Sequence, residues 1–337
     1  MTARSSGGAG AASLEFRGVT KRYGAGASAT GAVNDLSLKV PAGAICVLVG
    51  PSGCGKTTSL KMVNRLIEPT AGQILLDGSD VMAEDVTALR RRIGYVIQQV
   101  GLFPHLTVGQ NVSVVPGLEG WSKERQRDRS TELLSLVGLD PDRYRDRYPA
   151  QLSGGERQRV GVARALATDP PLMLMDEPFA AVDPIVRERL QDEFLRLQRE
   201  LAKTILFVTH DIDEAIRMGD LIAVLEQGGR LAQFAPPDAI LAHPASEFVA
   251  SLVGMDRGLK RLSLRTVADL EPEPTGVTDG LPVFRPETKL RDALSILLAA
   301  DTRGGVALDE AGRPRGFVTV DAIASALKDD LRRADRA

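Results

Sequence analysis

At 337 residues, with 43% hydrophobic and 26% charged content, the chain has the composition of a soluble globular protein of about two domains. A net charge of −2, with both signs mixed throughout, argues against a protein held on nucleic acid by its overall field. Two cysteines, Cys46 and Cys54, exclude a disulfide framework and fit a reducing, cytoplasmic setting, and no apolar run approaches the roughly 20 residues that span a bilayer. If the protein works at a membrane, another chain must bring it there.

Residues 1–13 (MTARSSGGAGAAS) hold one arginine and no apolar stretch, so they read as a flexible tail rather than a secretory signal. Leu14–Val19 alternates as a strand does, and a glycine- and alanine-rich loop follows at 24–31. Val33–Val40 alternates again and closes at Pro41-Ala-Gly43. Tyr23, just before the loop, would either stack on a base or pack a strand end. Ala44–Val49 (AICVLV) is apolar throughout and predicts a buried parallel strand.

That strand runs into Gly50-Pro51-Ser52-Gly53-Cys54-Gly55-Lys56-Thr57-Thr58, and Leu60, Val63 and Leu66 then recur at helical spacing. Strand, glycine-rich turn and helix N-terminus together make an anion site, because free N–H groups and the helix dipole converge on it. Its spacing is that of a phosphate loop: Lys56 would reach the β- and γ-phosphates of a nucleotide, and the Thr57 hydroxyl would ligate Mg²⁺.

Gly72–Asp77 reads as a strand closed by the Asp77-Gly78 turn, and Ile93–Gln99 as a strand ending in two amides. From Thr107 to about Tyr148 the pattern is helical and charged, and the basic run Lys123–Arg129 reads as a solvated helix face. Leu172–Glu177 is a short apolar strand ending in two carboxylates. A helix is expected over 183–202, a buried strand over Thr204–Thr209 running into His210, a helix over 211–218 and a strand over 221–225. Strands alternating with helices imply a mostly parallel α/β sheet, and ligands bind such sheets at the carboxyl ends of the strands. Gly50, Asp176 and His210 all fall at such ends. Asp176 would hold Mg²⁺ through water, Glu177 would orient an attacking water, and Gln98 or Gln99 would touch both.

Leu152-Ser-Gly-Gly-Glu-Arg-Gln-Arg159 adds a second anion site, although one phosphate loop already serves one nucleotide. With it, residues 14 to about 250 resemble the nucleotide-binding subunit of an ABC transporter. Gly50–Thr57 matches the Walker A loop, Leu172–Glu177 Walker B, and Leu152–Glu156 the signature. Gln98 matches the Q-loop, Ala180–Asp183 the D-loop, His210 the switch histidine and Tyr23 the adenine-stacking aromatic. The resemblance implies an ABC-type P-loop NTPase fold with a mostly parallel sheet, a helical subdomain at about 100–165, and ATP and Mg²⁺ as cofactors. Thr57, Gln98 and Asp176 would hold the metal, and Glu177, His210 and Gln98 would be catalytic. It also implies a head-to-tail homodimer in which Ser153, Gly154, Gly155 and Glu156 face the partner's ATP, with Asp183 in the D-loop. Closure on ATP would drive membrane permease subunits at the cytoplasmic face of the cell membrane, supplied by an extracytoplasmic solute-binding protein; no nucleic acid is involved. The departures are Glu156 where glutamine is commoner and a D-loop of Ala-Ala-Val-Asp; neither removes a catalytic group.

Met62–Pro69, Ile93–His105, Phe248–Leu264 and a C-terminal extension resemble the quaternary-amine importers, which take up glycine betaine, choline, carnitine or proline. An importer ATPase for another small solute, such as an amino acid or sulfonate, is the alternative. The ATPase domain is expected over 14–255, a linker over 256–280, a small α/β unit over 281–330 and a tail over 331–337. That unit resembles a single CBS domain. Gly316-Phe-Val-Thr319 keeps the family's glycine and threonine, but Ala322 stands where its ribose-binding aspartate would be. Regulation or dimerisation therefore fits this unit better than nucleotide binding.

Overall fold

The computed structural model describes residues 10–24, 30–98, 101–180, 182–273 and 280–334. These form two compact units, Met1–Ala235 and Pro236–Ala337.

Among the described residues the first unit is built on ten strands: β1 (Leu14–Tyr23), β2 (Thr30–Val40), β3 (Ile45–Val49), β4 (Ala71–Leu76), β5 (Ser79–Asp80), β6 (Ile93–Val96), β7 (Leu172–Asp176), β8 (Thr204–Val208), β9 (Leu221–Glu226) and β10 (Arg230–Ala235). Six of them form a sheet in the order β10-β9-β3-β8-β7-β6, in which every pair is parallel except β10 with β9. All five residues of β3, β7 and β8 are buried, as expected of central parallel strands covered on both faces. The remaining four form an antiparallel sheet in the order β2-β1-β4-β5. Its inward residues, among them Leu14, Phe16, Leu36 and Ile74, share one core with Leu48, Leu60, Leu174 and Leu206. Burial of each such side chain stabilises by about 1.5–3 kcal/mol, which anchors the strands that carry the site.

The helix after β3 spans Lys56–Val63 and buries Ser59, Leu60, Met62 and Val63. It ends before Leu66 because Arg65 takes a left-handed φ of 54°, leaving Leu66 half exposed. Between β6 and β7 lie the helices Val108–Val112, Val114–Leu118, Lys123–Leu136, Pro141–Tyr144 and Gly154–Ala165. The basic run within Lys123–Leu136 is only partly solvated. Arg129 donates to the carbonyls of Leu166 and Ala167, both at 3.1 Å, and so closes the end of helix Gly154–Ala165, while Arg125 stacks 3.4 Å over the Trp121 ring.

In the second unit a three-stranded sheet, β11 (Val283–Phe284), β12 (Gly304–Leu308) and β13 (Pro314–Thr319), packs with the helices Leu290–Ala299 and Val320–Ala334. Its core holds Leu262, Phe284, Leu290, Leu297, Val318 and Ile323. Leu262 comes from the helix Arg257–Leu264, in the stretch whose sequence reads as a linker. Arg261 on the same helix is buried and pairs with Asp238 at 3.0 Å. The helices Pro237–Ala242 and Glu247–Val253 belong to this unit as well, upstream of residue 255. No helix among the described residues is long and apolar enough to cross a membrane.

Candidate nucleotide site

Four parallel strands end along one edge of the larger sheet: β3 at Gly50, β6 just before Gln98, β7 at Asp176-Glu177 and β8 at Thr209-His210. The register sets Leu48 and Asp176 both beside Val208, and Val96 beside Met175, so the ends are level. β6 stops at Val96, which leaves Gln98 exposed in a loop; Gln99 lies outside the described residues.

The glycine-rich turn is shaped by its neighbours. A Cβ on Gly50 would stand 2.2 Å from the Leu225 carbonyl oxygen, and one on Gly55 would stand 2.2 Å from that of Ala32. Ser52 and Gly53 are exposed at the tip, Pro51 and Thr58 are half buried, and Cys54 is buried, which raises its thiol pKa. Lys56 is only 5% exposed, and its Nζ donates to the carbonyls of Gly50 at 2.7 Å and Pro51 at 3.0 Å. No carboxylate pairs with it among the described residues. A buried ammonium held by neutral oxygens beside a bare backbone turn suits an anion.

On the far side of the turn, Thr57 donates from Oγ1 to Asp176 Oδ1 at 2.9 Å. Burial raises the Asp176 carboxyl pKa, and the Thr57 hydrogen bond opposes that rise. Glu177 follows with a φ of 46°, unusual for a side chain of its size, while its N–H stays in the sheet through Val208 O at 3.0 Å. Its Oε2 accepts from Gln98 Nε2 at 3.1 Å and lies 3.3 Å from His210 Nδ1. One Glu177 oxygen thus meets two of the other side chains singled out from the sequence, Gln98 and His210.

The ABC transporter family matches residues 33–180. The osmoprotectant import ATP-binding protein OsmV of Salmonella typhimurium is 53% identical over 289 residues, 85% of this chain and 74% of that protein. The chain belongs to the ABC transporter ATP-binding family. Also similar are a carnitine transport ATP-binding protein of Listeria monocytogenes, 46% identical over 312 residues and spanning 92% of this chain and 76% of its own, and the glycine betaine uptake ATP-binding protein YehX of Escherichia coli, 46% identical over 304 residues, 90% and 96%. Among solved structures, a dimeric ATP-binding cassette in a post-hydrolysis state with ADP and Pi matches with a TM-score of 0.60 at 34% identity, covering 66% of this chain and 98% of that one. This chain is an ABC ATPase, and ATP is its nucleotide.

The remaining predicted residues of the ABC cassette lie on other elements of the chain. Tyr23 is 46% exposed, with Lys21 Nζ 5.2 Å from its ring centre. Asp183 is exposed, and its carbonyl accepts from Arg187 N–H at 2.8 Å; Ala181 lies outside the described residues. Ser153 and Glu156 form a reciprocal cap on helix Gly154–Ala165: Ser153 Oγ accepts from Glu156 N at 3.3 Å, and Glu156 Oε2 accepts from Ser153 N at 2.7 Å. Gly154 and Gly155 therefore open the helix with bare backbone, and a Cβ on Gly154 would meet nothing within 4 Å. Among the described residues, no hydrogen bond joins Ser153 or Tyr23 to the Gly50–Thr58 turn.

Two features escaped the sequence reading. The left-handed backbone of Glu177 leaves no mark in residue order. The Tyr144 hydroxyl donates to Glu156 Oε1 at 2.6 Å, and the Ser-x-x-Glu spacing was the available signal for half of that arrangement. First the Tyr144 bond and then the Ser153 N–H hold the Glu156 carboxyl at about 2, below its ordinary 4.5. Stabilisation from the ionised Glu156 is therefore complete above about pH 4.5 and lost as pH falls towards 2. Glu156→Gln, which keeps the shape without the charge, should melt a few degrees below wild type at pH 7. That gap should narrow below about pH 4.5 and close only as pH falls to about 2, read from paired thermal melts across the range.

Proposed function

We propose that this chain is the ATP-hydrolysing subunit of an importer for a quaternary-amine osmoprotectant of the glycine betaine, choline, carnitine or proline type. The convergence of Gln98 and His210 on one Glu177 oxygen, beside Lys56, Thr57 and Asp176, supports the hydrolytic part. Kinship with the osmoprotectant, carnitine and glycine betaine proteins supports the solute.

In this reading the backbone of Gly50–Thr58 and the Lys56 ammonium bind the β- and γ-phosphates, and Tyr23 stacks on adenine. Thr57 and Asp176 place two oxygen donors side by side, a set suited to Mg²⁺, with Gln98 as a further ligand. When bound, the metal neutralises phosphate charge. Glu177 orients and polarises the attacking water, and His210 hydrogen-bonds the γ-phosphate. Ser153, Gly154, Gly155 and Glu156 face the ATP of a second copy, with Asp183 at the seam, so that ATP closes a homodimer. The dimer sits at the cytoplasmic face of the cell membrane against permease subunits, which an extracytoplasmic binding protein loads. As a functional division the cassette keeps the limits read from the sequence, 14–255, although the helices from Pro237 onward pack with the second compact unit, and the CBS-like unit over 281–330 regulates or dimerises.

The test is uptake of labelled glycine betaine at high salt in cells with and without this gene. Uptake should be lost on deletion, restored by wild type, and not restored by Lys56→Ala, which removes the buried ammonium. Restoration by Lys56→Ala would overturn the coupling. Uptake that survives deletion of this gene, with no competing system present, would overturn the assigned solute.

A further inference from the structure

Behind His210 lies a second buried carboxylate that hydrolysis does not use. Glu214, on the helix Ile212–Met218, is 8% exposed, and burial raises its carboxyl pKa. No ion pair involves it among the described residues. Neutral donors hold it: Gln191 Nε2 donates to Glu214 Oε1 at 2.9 Å in a fully buried bond, and the Thr209 hydroxyl faces the same carboxylate.

Both neighbours of His210 in the chain belong to this arrangement. Thr209 is tied to β3 through its N–H on Leu48 O at 3.1 Å, and its Oγ1 accepts from Asp211 N at 3.1 Å. Asp211 in turn caps the helix that carries Glu214, accepting from the N–H groups of Asp213 at 2.8 Å and Glu214 at 3.2 Å. Gln191 belongs to the helix Pro184–Leu201, where Arg187, one turn earlier, donates to Val182 O at 3.0 Å. Arg187, Glu214, Thr209, His210 and Glu177 line one small cavity, and Arg187 Nε is buried there without a hydrogen-bond partner.

We propose that Glu214 is a positioning residue, whose carboxylate ties residues 209–211 to the helix Pro184–Leu201 through Gln191 and so sets where the His210 ring meets Glu177. The proposal rests on the reading of His210 and Glu177 as hydrolytic groups. Removing the acceptor leaves the Gln191 amide and the Thr209 hydroxyl unsatisfied in a buried place and loosens the segment that aims His210. Displacement of a catalytic group by about 1 Å lowers rate by about 10²-fold without touching the nucleotide-binding loop. What the site needs is an acceptor rather than a charge. Glutamine at 214 keeps an amide oxygen as acceptor for the Gln191 amide, the fully buried tie to the helix Pro184–Leu201.

The test uses the purified full-length chain and two readouts: kcat and KM for ATP, and the imidazole C–H resonances in NMR spectra. The chain has three histidines, His105, His210 and His243, so the His210 signal is identified by its loss in His210→Ala. Glu214→Ala should lower kcat by about 10–100-fold with KM within about twofold, and should shift or broaden the His210 signal alone. Glu214→Gln should restore both to near wild type. Should Glu214→Ala fail to fold, Gln191→Leu removes only the donor and should lower kcat by about 3–10-fold with the same spectral change. Unchanged kcat in Glu214→Ala, a fall in kcat with the His210 signal unmoved, or Glu214→Gln no better than alanine would each overturn the proposal. Undiminished kcat in His210→Ala would instead remove the hydrolytic reading on which it rests.

Discussion

Glu177→Gln is expected to reduce kcat by at least about 10²-fold while ATP still binds and the ATP-bound dimer accumulates. The substitution is nearly isosteric. An amide at 177 keeps an acceptor for Gln98 Nε2, whose bond to Oε2 is 3.1 Å in the wild-type protein. It also leaves the Lys56 and Thr57 contacts untouched, since neither involves Glu177. What it removes is the group able to take a proton from water and the negative charge 3.3 Å from His210 Nδ1. Binding and chemistry should therefore separate. Nucleotide affinity, followed with a fluorescent ATP analogue, should remain within a few-fold, and size-exclusion chromatography with ATP should show the dimer persisting. Hydrolysis at more than about a tenth of the wild-type rate would assign the base to another residue and sink the role given to Glu177.

This prediction draws on a part of the molecule that was largely legible in residue order. AICVLV, LMLMD and TILFV are continuous apolar runs, and continuous runs mark strands covered on both faces, as β3, β7 and β8 are. Parallel pairing then puts the residues after each run on one edge, so Gly50, Asp176 and His210 could be grouped before any coordinates. Periodicity served less well at element ends. Leu66 continues the helical spacing but falls outside the helix, because the turn at Arg65 is set by backbone φ, which spacing does not report. The basic run Lys123–Arg129 reads as a solvated face, yet Arg129 spends its guanidinium on two helix-end carbonyls that lie 37 and 38 residues away in sequence. The helix Arg257–Leu264 was hidden for a related reason: its burial depends on Asp238 and on core partners beyond residue 280. The Tyr144–Glu156 bond likewise joins residues from two helices. The strand ends could be grouped because continuous apolar runs and parallel pairing fix them, whereas local backbone φ and side-chain contacts between elements leave no mark in residue order.

The glycines of the phosphate loop carry the second large effect, and they divide by what surrounds them. Gly55→Ala should lower the melting temperature of the cassette by about 10 °C and abolish measurable ATP binding. Gly53→Ala should lower it by only about 3 °C. Both positions have positive φ, 102° at Gly55 and 78° at Gly53, so each alanine carries backbone strain of about 1–2 kcal/mol. Only at Gly55 does the new methyl group also run into something: the Ala32 carbonyl oxygen at 2.2 Å and a Val33 methyl at 3.1 Å, whereas nothing lies within 4 Å of the same atom on Gly53. β2 cannot withdraw, because Val33 is buried in the shared core and paired with Lys21 of β1. The turn must move instead, at a cost of about 1–3 kcal/mol or more, and it takes with it the Lys56 ammonium one residue away. For a unit of this size each kcal/mol is worth about 2–4 °C, which yields the two shifts. Thermal melts and ATP titrations of the pair measure both. Equal melting temperatures for the two variants would show that β2 yields to the methyl group, and that strain alone governs glycine in this loop.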